Sequence, residues 1–326
     1  MRFSLIVLIC FFFVTPDLLA QSNTSSVYRF LQVTPSAKVA AQGGNHVGLF
    51  DANSGVLFLN PAYLDESSQH HINATFVNYL ADARYGFVNY ALHAPKVGTI
   101  GVGIRFAGYG DLTEYDVDGN SMGALNANDL ALTSALSTQL SPKLRAGASV
   151  DFVHSSYGDF NSSALMGSAG LYYLDVDARF SAGISVRNLG DQINYYNDTR
   201  EELPFDVSVG FSKKPDRFPF QLSLTLQQLN NWELDVPGDQ SDETIVDNLY
   251  RHVILGAEAT LSRQFFLRFG YNRWQHELVR TNENFDFAGA SMGVGIYTRN
   301  IEIDISRNSL SNLGGVVQLS VRTKTH

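Results

Sequence analysis

Apolar and polar side chains alternate one for one over much of the chain after residue 71. Residues 99–107 show this pattern most clearly. One face holds Ile100, Val102, Ile104 and Phe106, and the other holds Thr99, Gly101, Gly103, Arg105 and Ala107. Because successive side chains of a β-strand point to opposite faces, a period of two predicts a strand with one apolar face. With Tyr85–His93 and the turn Ala94–Gly98 before it, this strand forms an amphipathic hairpin.

The same alternation predicts about fourteen strands, because a helix would scatter these residues around its axis. We place them at Ile72–Tyr79, Tyr85–His93, Thr99–Tyr109, Asp129–Leu140, Leu144–Ser155, Ser163–Leu174, Val176–Arg187, Phe205–Ser212, Phe220–Gln227, His252–Leu261, Gln264–Asn272, Ala288–Tyr297, Ile301–Ser306 and Val316–Arg322. Most of them run about 8–12 residues, close to the roughly 9–11 that a tilted strand needs to cross a bilayer.

Short and long connections alternate along the chain. The short ones are Ala94–Gly98, Ser141–Lys143, Asp175, Lys213–Pro219, Ser262–Arg263 and Thr298–Asn300; the others, mostly long, are Gly110–Asn128, Ser156–Ser162, Asn188–Pro204, Gln228–Arg251, Arg273–Phe287 and Arg307–Gly315. In a meander this places all short turns at one end, which is typical of outer-membrane barrels. The pattern therefore predicts an all-β protein, a transmembrane up-and-down β-barrel of about 14 antiparallel strands. A soluble secreted β protein is the alternative, but it has no need of this asymmetry.

The N-terminus has the features of a secretory signal peptide at residues 1–20. Arg2 precedes the apolar run Leu5–Val14, and Ala20 is a small residue before the expected cleavage site. Cys10, the single cysteine, lies inside this signal, so the mature chain carries no thiol. The net charge of −9 comes without a basic block, which argues against nucleic acid as a partner.

Residues 21–71 lack the period of two, whereas residues 72–326 form the predicted barrel. Ser36–Ala41 could form a helical turn that stops at Gly43-Gly44. A barrel of about fourteen strands is too wide to be filled by its own wall side chains. We therefore predict that residues 21–71 fold inside the lumen as a plug, or hatch.

The inward positions of the predicted strands carry nearly balanced charges. The positive ones are Arg105, Arg145, Arg179, Arg187 and Arg268, and the negative ones are Asp151, Asp177, Asp206, Glu258, Glu302 and Asp304. A ring of one sign would indicate ion selectivity. This balance instead predicts ion pairs on the inner wall that hold the plug.

Motifs of enzymes and metal sites find little support. Asp116–Asn120 resembles the start of a calcium loop, but Ser121 and Ala127 stand where glycine and a bidentate glutamate are needed. A tight turn at Asp118-Gly119 explains the segment better. No glycine run precedes a helix, as phosphate-binding loops require. We predict no catalytic residue, cofactor or metal site.

Several segments together resemble the PorV/PorQ family of outer-membrane barrels, and the PorQ-type members most closely. They are 27–31, 36–44, Asn60-Pro61-Ala62 with the preceding Leu59, 78–83, 190–193, 203–206, 211–214, 251–256 and 267–272. The Asn60-Pro61-Ala62 motif is shared with FadL-type barrels, and we assign it to the plug.

The resemblance implies a non-enzymatic outer-membrane component of the type IX protein secretion system in a Gram-negative bacterium. It implies a cell-surface attachment complex with PorZ as surface partner, and with PorU and PorV, that joins exported cargo to lipopolysaccharide. The long loops would be extracellular and the termini periplasmic, with membrane lipid around the barrel. The final residue, His326, is not the aromatic residue that ends many barrels.

Two of the long loops are the expected docking surfaces. Asn188–Pro204 carries Tyr195 and Tyr196, and Gln228–Arg251 carries Trp232; exposed aromatic side chains often anchor partners. The alternative function is a FadL-like outer-membrane channel for hydrophobic small molecules. Such a channel needs a continuous apolar path, whereas the predicted inward faces are charged and small.

Overall fold

The computed structural model describes residues 26–110, 112–116, 118–197, 199–234, 244–280, 286–311 and 314–325. The predicted signal peptide, residues 1–20, lies outside these ranges. Among the described helices, none has the length and apolar character needed to cross a membrane.

Fourteen antiparallel strands close into a barrel, which confirms the predicted fold. The strands of the described chain are β1 His71–Asn78, β2 Arg84–Ala94, β3 Gly98–Gly108, β4 Leu112–Tyr115, β5 Ser121–Leu125, β6 Ala127–Ser141, β7 Leu144–Tyr157, β8 Phe160–Asp175, β9 Phe180–Asn194, β10 Asp206–Lys213, β11 Phe220–Leu226, β12 Val253–Thr260, β13 Phe265–Asn272, β14 Ala290–Tyr297, β15 Ile301–Ser311 and β16 Gly314–Lys324. Each barrel strand pairs with the next, and β1 pairs with β16 from His71–Lys324 to Asn78–Val317. Strands β4 and β5 form a separate hairpin.

The apolar faces of the strands point out of the barrel. In β3, Val102 is 48% exposed and Phe106 is 44% exposed, whereas the intervening Arg105 is only 3% exposed. Similar exposed apolar side chains occur on strands all around the wall. An outward apolar band with a polar interior is the pattern of a membrane barrel.

The two ends of the barrel differ as predicted from the connection lengths. Short turns join β2 to β3, β6 to β7, β8 to β9, β10 to β11, β12 to β13 and β14 to β15, and we call this the short-turn end. The opposite, long-loop end carries the β4–β5 hairpin and the helices α2, Ile245–Arg251, and α3, Arg273–Val279. At the short-turn end, the Thr325 N–H donates to the His70 carbonyl over 2.7 Å.

Strand β9 is shifted from its predicted position. It begins at Phe180 rather than Val176 and continues to Asn194 rather than ending at Arg187. Residues 176–179 form a turn because the Asp175 carboxylate accepts the Ala178 N–H over 3.0 Å. The strand was predicted to begin at Val176 because apolar and polar residues also alternate through this turn.

Residues 26–70, the N-terminal segment, lie within the ring of strands. The segment contains helix α1, Ala37–Ala40, and short 3-10 turns, and most of its residues are buried. Its polar groups meet inward side chains on strands from opposite sides of the barrel. Hydrogen bonds join Ser54 to Asn73 of β1, Leu49 to Tyr172 of β8, Gly48 to Ser181 of β9, His46 to Thr225 of β11, Ala41 to Ser291 of β14, Ala40 to Asn308 of β15 and Ala37 to Ser320 of β16.

Candidate functional site

Glycines on the inner wall let the N-terminal segment touch the backbone of the strands. A Cβ at Gly183 of β9 would lie 1.8 Å from the Val47 carbonyl oxygen. A Cβ at Gly270 of β13 would lie 1.9 Å from the Gln42 carbonyl carbon. Because any side chain at these positions would overlap backbone atoms, close packing of the segment requires glycine there.

Asn60-Pro61-Ala62 forms one of the closest contacts with the wall. The Asn60 side chain is fully buried, and its amide oxygen accepts the Ala62 N–H over 3.0 Å. Asn60 thereby caps a 3-10 turn whose first residue is Pro61. Its amide nitrogen lies 3.2 Å from the Leu171 carbonyl of β8 and 3.4 Å from the Ile184 carbonyl of β9. The motif therefore ties a turn of the segment to two wall strands.

His46 lies inside the segment with both ring nitrogens engaged. Its Nε2 is 2.7 Å from the Gln42 carbonyl, which can only accept, so Nε2 carries the proton. Nδ1 then accepts from the Thr225 hydroxyl over 2.9 Å. Burial lowers the pKa of His46 to about 4, so the ring is neutral at pH 7.

Asp65 links the segment to the wall nearer the short-turn end, where its carboxylate lies 2.5 Å from the Arg145 guanidinium. Burial acts to raise the pKa of Asp65, but the Ser67 hydroxyl and the Arg145 charge outweigh it. The pKa consequently lies below its ordinary value. Arg145 was predicted to face inward; Asp65 was missed because the segment has no periodic pattern that would place its side chains.

Seven of the predicted lumen charges form ion pairs with one another on the inner wall. Arg105 pairs with Asp151 at 2.6 Å, and Arg187 pairs with Asp206. Arg268 contacts both Glu258 and Asp304 at 2.6 Å. Arg268 is wholly buried and also donates to the Tyr297 hydroxyl over 2.8 Å. Each of these seven charges therefore has an oppositely charged neighbour on the inner wall.

Two predicted lumen charges are wrong. Asp177 and Arg179 lie in the turn between β8 and β9, and Arg179 pairs with Asp216 at 3.2 Å. The Arg179 side chain is 47% exposed. The correction follows from the later start of β9, which leaves both residues at the short-turn end.

The three aromatic residues predicted to bind partners have different surroundings. Tyr195 is half-buried, and the Tyr196 hydroxyl donates to the Ser155 hydroxyl. Trp232 is 47% exposed and stacks on the His252 ring, with ring centroids 5.4 Å apart. Only Trp232 therefore presents a largely exposed ring.

Helix α2 adds an apolar surface at the long-loop end that the sequence reasoning missed. Ile245, Val246 and Tyr250 are 77%, 58% and 58% exposed. Thr244 caps this helix by accepting the Asp247 N–H over 3.2 Å. A capping-box pattern, threonine followed three residues later by aspartate, was the available signal.

A cavity of about 890 Å³ opens inside the barrel toward the long-loop end. Residues 28–34 of the N-terminal segment line it, together with Tyr79, Tyr85, Tyr109 and Trp274. None of its lining residues belongs to the short-turn end. The cavity therefore lies between the N-terminal segment and the long-loop end. In the described ranges, no group of three or more His, Cys, Asp and Glu side chains could hold a metal ion.

Comparison with known proteins identifies the fold. No protein-family model and no curated protein matches the sequence. Among solved structures, the deltaS2 mutant of the TodX monoaromatic hydrocarbon channel is similar, with a TM-score of 0.55 and 12% identity over 92% of this chain and 100% of that one. A Pseudomonas aeruginosa FadL homologue gives a TM-score of 0.51 and 12% identity over 90% of this chain and 98% of that one. The chain therefore shares the fold of the FadL-type outer-membrane barrels.

Proposed function

We propose that this chain is a non-enzymatic outer-membrane barrel, closed by its N-terminal segment, that holds a protein partner at its long-loop end. The observation that carries the proposal is the direct backbone contact of the segment with the inner wall at Gly183 and Gly270. A lumen filled in this way leaves the ends of the barrel as its working surfaces. The resemblance to the PorV/PorQ family supports a place in the type IX attachment complex, with a PorZ-like partner.

The expected orientation puts the long-loop end at the cell surface and both termini in the periplasm. Support comes from the short turns at one end and the larger structures at the other, the arrangement of outer-membrane barrels. The partner surface would comprise Trp232 and the exposed side chains of α2. Apolar and aromatic side chains exposed together are typical of protein interfaces.

Deletion of Gln228–Asp247 tests this function. The deletion removes Trp232 and the start of α2, so we expect the surface partner to be lost from purified outer-membrane complexes. The barrel should still insert, as shown by heat-modifiable migration on gels. Deletion of residues 112–125, which form the separate β4–β5 hairpin, is the matched control and should retain the partner. Continued co-purification of the partner with the first variant would disprove the docking surface.

A channel for hydrophobic small molecules is the second candidate, and the structural comparisons favour it over the secretion role. The fold is similar to that of TodX, a monoaromatic hydrocarbon channel. The cavity at the long-loop end also has several aromatic walls. Transport would require the N-terminal segment to move. Uptake of labelled fatty acids in a deletion strain separates the two functions: a loss restored by complementation supports the channel, and unchanged uptake supports the anchor.

A further inference from the structure

Asp129 is a buried carboxylate in the wall of the large cavity. It lies on β6, is 6% exposed and accepts hydrogen bonds from the Tyr109 and Ser155 hydroxyls. Within the described part of the chain, no lysine or arginine comes within ion-pair distance of it. Asp129 therefore differs from the other buried carboxylates of the wall.

Those other carboxylates all have arginine partners. Asp151, Asp206, Glu258 and Asp304 each form an ion pair on the inner wall. Burying a carboxylate without a cation is costly, and two hydroxyl donors offset only part of the cost. A cation arriving in the cavity would complete the same kind of pair at Asp129.

Tyrosine rings line the cavity beside this carboxylate. Tyr79 and Tyr85 meet edge to face at 5.3 Å, and Tyr85 and Tyr109 do so at 6.3 Å. Tyr28 and Tyr196 line the same space. Aromatic faces attract organic cations, and the attraction is stronger where water is excluded. A carboxylate with several tyrosines is a suitable environment for a guanidinium or ammonium group.

Two residues that line the same cavity also carry amide oxygens without a hydrogen-bond donor. The amide oxygens of Asn308 and Gln318 are buried without a donor, and these residues are 7% and 3% exposed. The Asn308 side-chain nitrogen donates to the Ala40 carbonyl over 2.9 Å. This hydrogen bond fixes the orientation of the amide group, whose oxygen has no donor. A guanidinium has five N–H donors and no acceptor.

Two arginines also line the cavity and limit where a cation could bind. Arg187 is paired with Asp206, and Arg29 is an exposed residue of the N-terminal segment. Among the carboxylates that line the cavity in the described part of the chain, Asp129 is the one without an arginine or lysine in ion-pair contact.

We propose that this cavity binds an organic cation, a guanidinium or ammonium group, with Asp129 as its counter-ion and tyrosine rings as its walls. The cation could belong to a lysine or arginine side chain in a loop of a protein partner, or to a small soluble molecule. The proposal does not depend on the anchoring function, because a cation site would serve a channel as well.

Calorimetric titration of the purified full chain in detergent tests the proposal. The probes are acetyl-Gly-Arg-Gly-amide, its neutral citrulline counterpart and agmatine. We expect the arginine peptide or agmatine to bind at least about tenfold more tightly than the citrulline peptide, a difference of roughly 1.4 kcal/mol. Asp129→Asn should reduce that affinity by about tenfold. Glu114→Gln, at an exposed carboxylate of β4, should leave it unchanged.

Tyr85→Leu is a second variant that removes a ring without changing the charge, and it should also weaken binding. Heat-modifiable migration shows whether each variant is folded. Binding of agmatine alone would identify a small soluble cation, whereas binding of the arginine peptide would identify a partner side chain. Equal affinity for the arginine and citrulline peptides, no binding of any cation, or unchanged binding by the folded Asp129→Asn variant would overturn the proposal.

Discussion

Arg268 is a wholly buried charged residue of the inner wall, and its two carboxylate partners determine what its loss would do. Arg268→Met should leave Glu258 and Asp304 buried without their ion-pair partner, at a cost of about 3–5 kcal/mol in the free energy of unfolding. Arg179→Met is the control, because the exposed pair with Asp216 should contribute no more than about 1 kcal/mol. Urea titration in detergent, followed by gel migration, measures both. Equal midpoints for the two variants would contradict this account.

His46 should make the free energy of unfolding depend on pH. Its folded pKa of about 4 lies below the ordinary 6.5, so the unfolded chain binds a proton that the folded chain excludes. This contribution is complete above about pH 6.5 and decreases as the pH falls toward 4, by up to about 1.4 kcal/mol per pH unit. The His46→Gln variant, which keeps an uncharged donor and acceptor, should lose this part of the dependence. An identical decline in the two proteins would show that His46 does not cause it.

The face of each residue could be predicted better than its position along the strand. Alternation correctly placed Arg105, Arg187 and Arg268 on the inner wall. It failed at Asp177 and Arg179, because a period of two continues through the turn before β9. The pairing of Arg145 with Asp65 could not be predicted, since it joins the wall to a segment without periodicity.

At the scale of elements, strands were predictable from local pattern, but contacts of the N-terminal segment were not. The existence of fourteen barrel strands follows from alternation, while the extension of β9 to Asn194 depends on its pairing with β8. The path of the segment depends on glycines such as Gly183, whose role is visible only when the strands are assembled. The extent of β9 and the path of the N-terminal segment therefore depend on long-range packing, which the local alternation of residues does not reveal.

The contact between the segment and β9 can be tested with two glycines. Gly183→Ala should displace the segment, because the new Cβ would lie 1.8 Å from the Val47 carbonyl oxygen. Gly167→Ala on β8 is the control, since its nearest atoms would be 3.7 Å away. We expect limited proteolysis of detergent-solubilised barrels to cleave the segment faster in the first variant only. Equal cleavage rates would show that the segment does not depend on this approach.

The whole molecule combines an outward apolar band, ion pairs on the inner wall and an N-terminal segment packed within the ring of strands. The pocket of about 890 Å³ opens toward the long-loop end, above residues 28–34. Both proposed binding activities, for a protein partner and for an organic cation, are placed at that end. The barrel is therefore expected to be closed by its N-terminal segment and to bind its ligands at the long-loop end.

Single-channel recording in planar bilayers tests this claim most directly. The wild-type barrel should insert without stable conductance steps, and a variant lacking Val39–Leu64 should show open channels because the packed part of the segment is gone. Heat-modifiable migration must confirm that both proteins are folded. Stable conductance through the wild type, or a folded deletion variant that stays closed, would contradict closure of the barrel by its N-terminal segment.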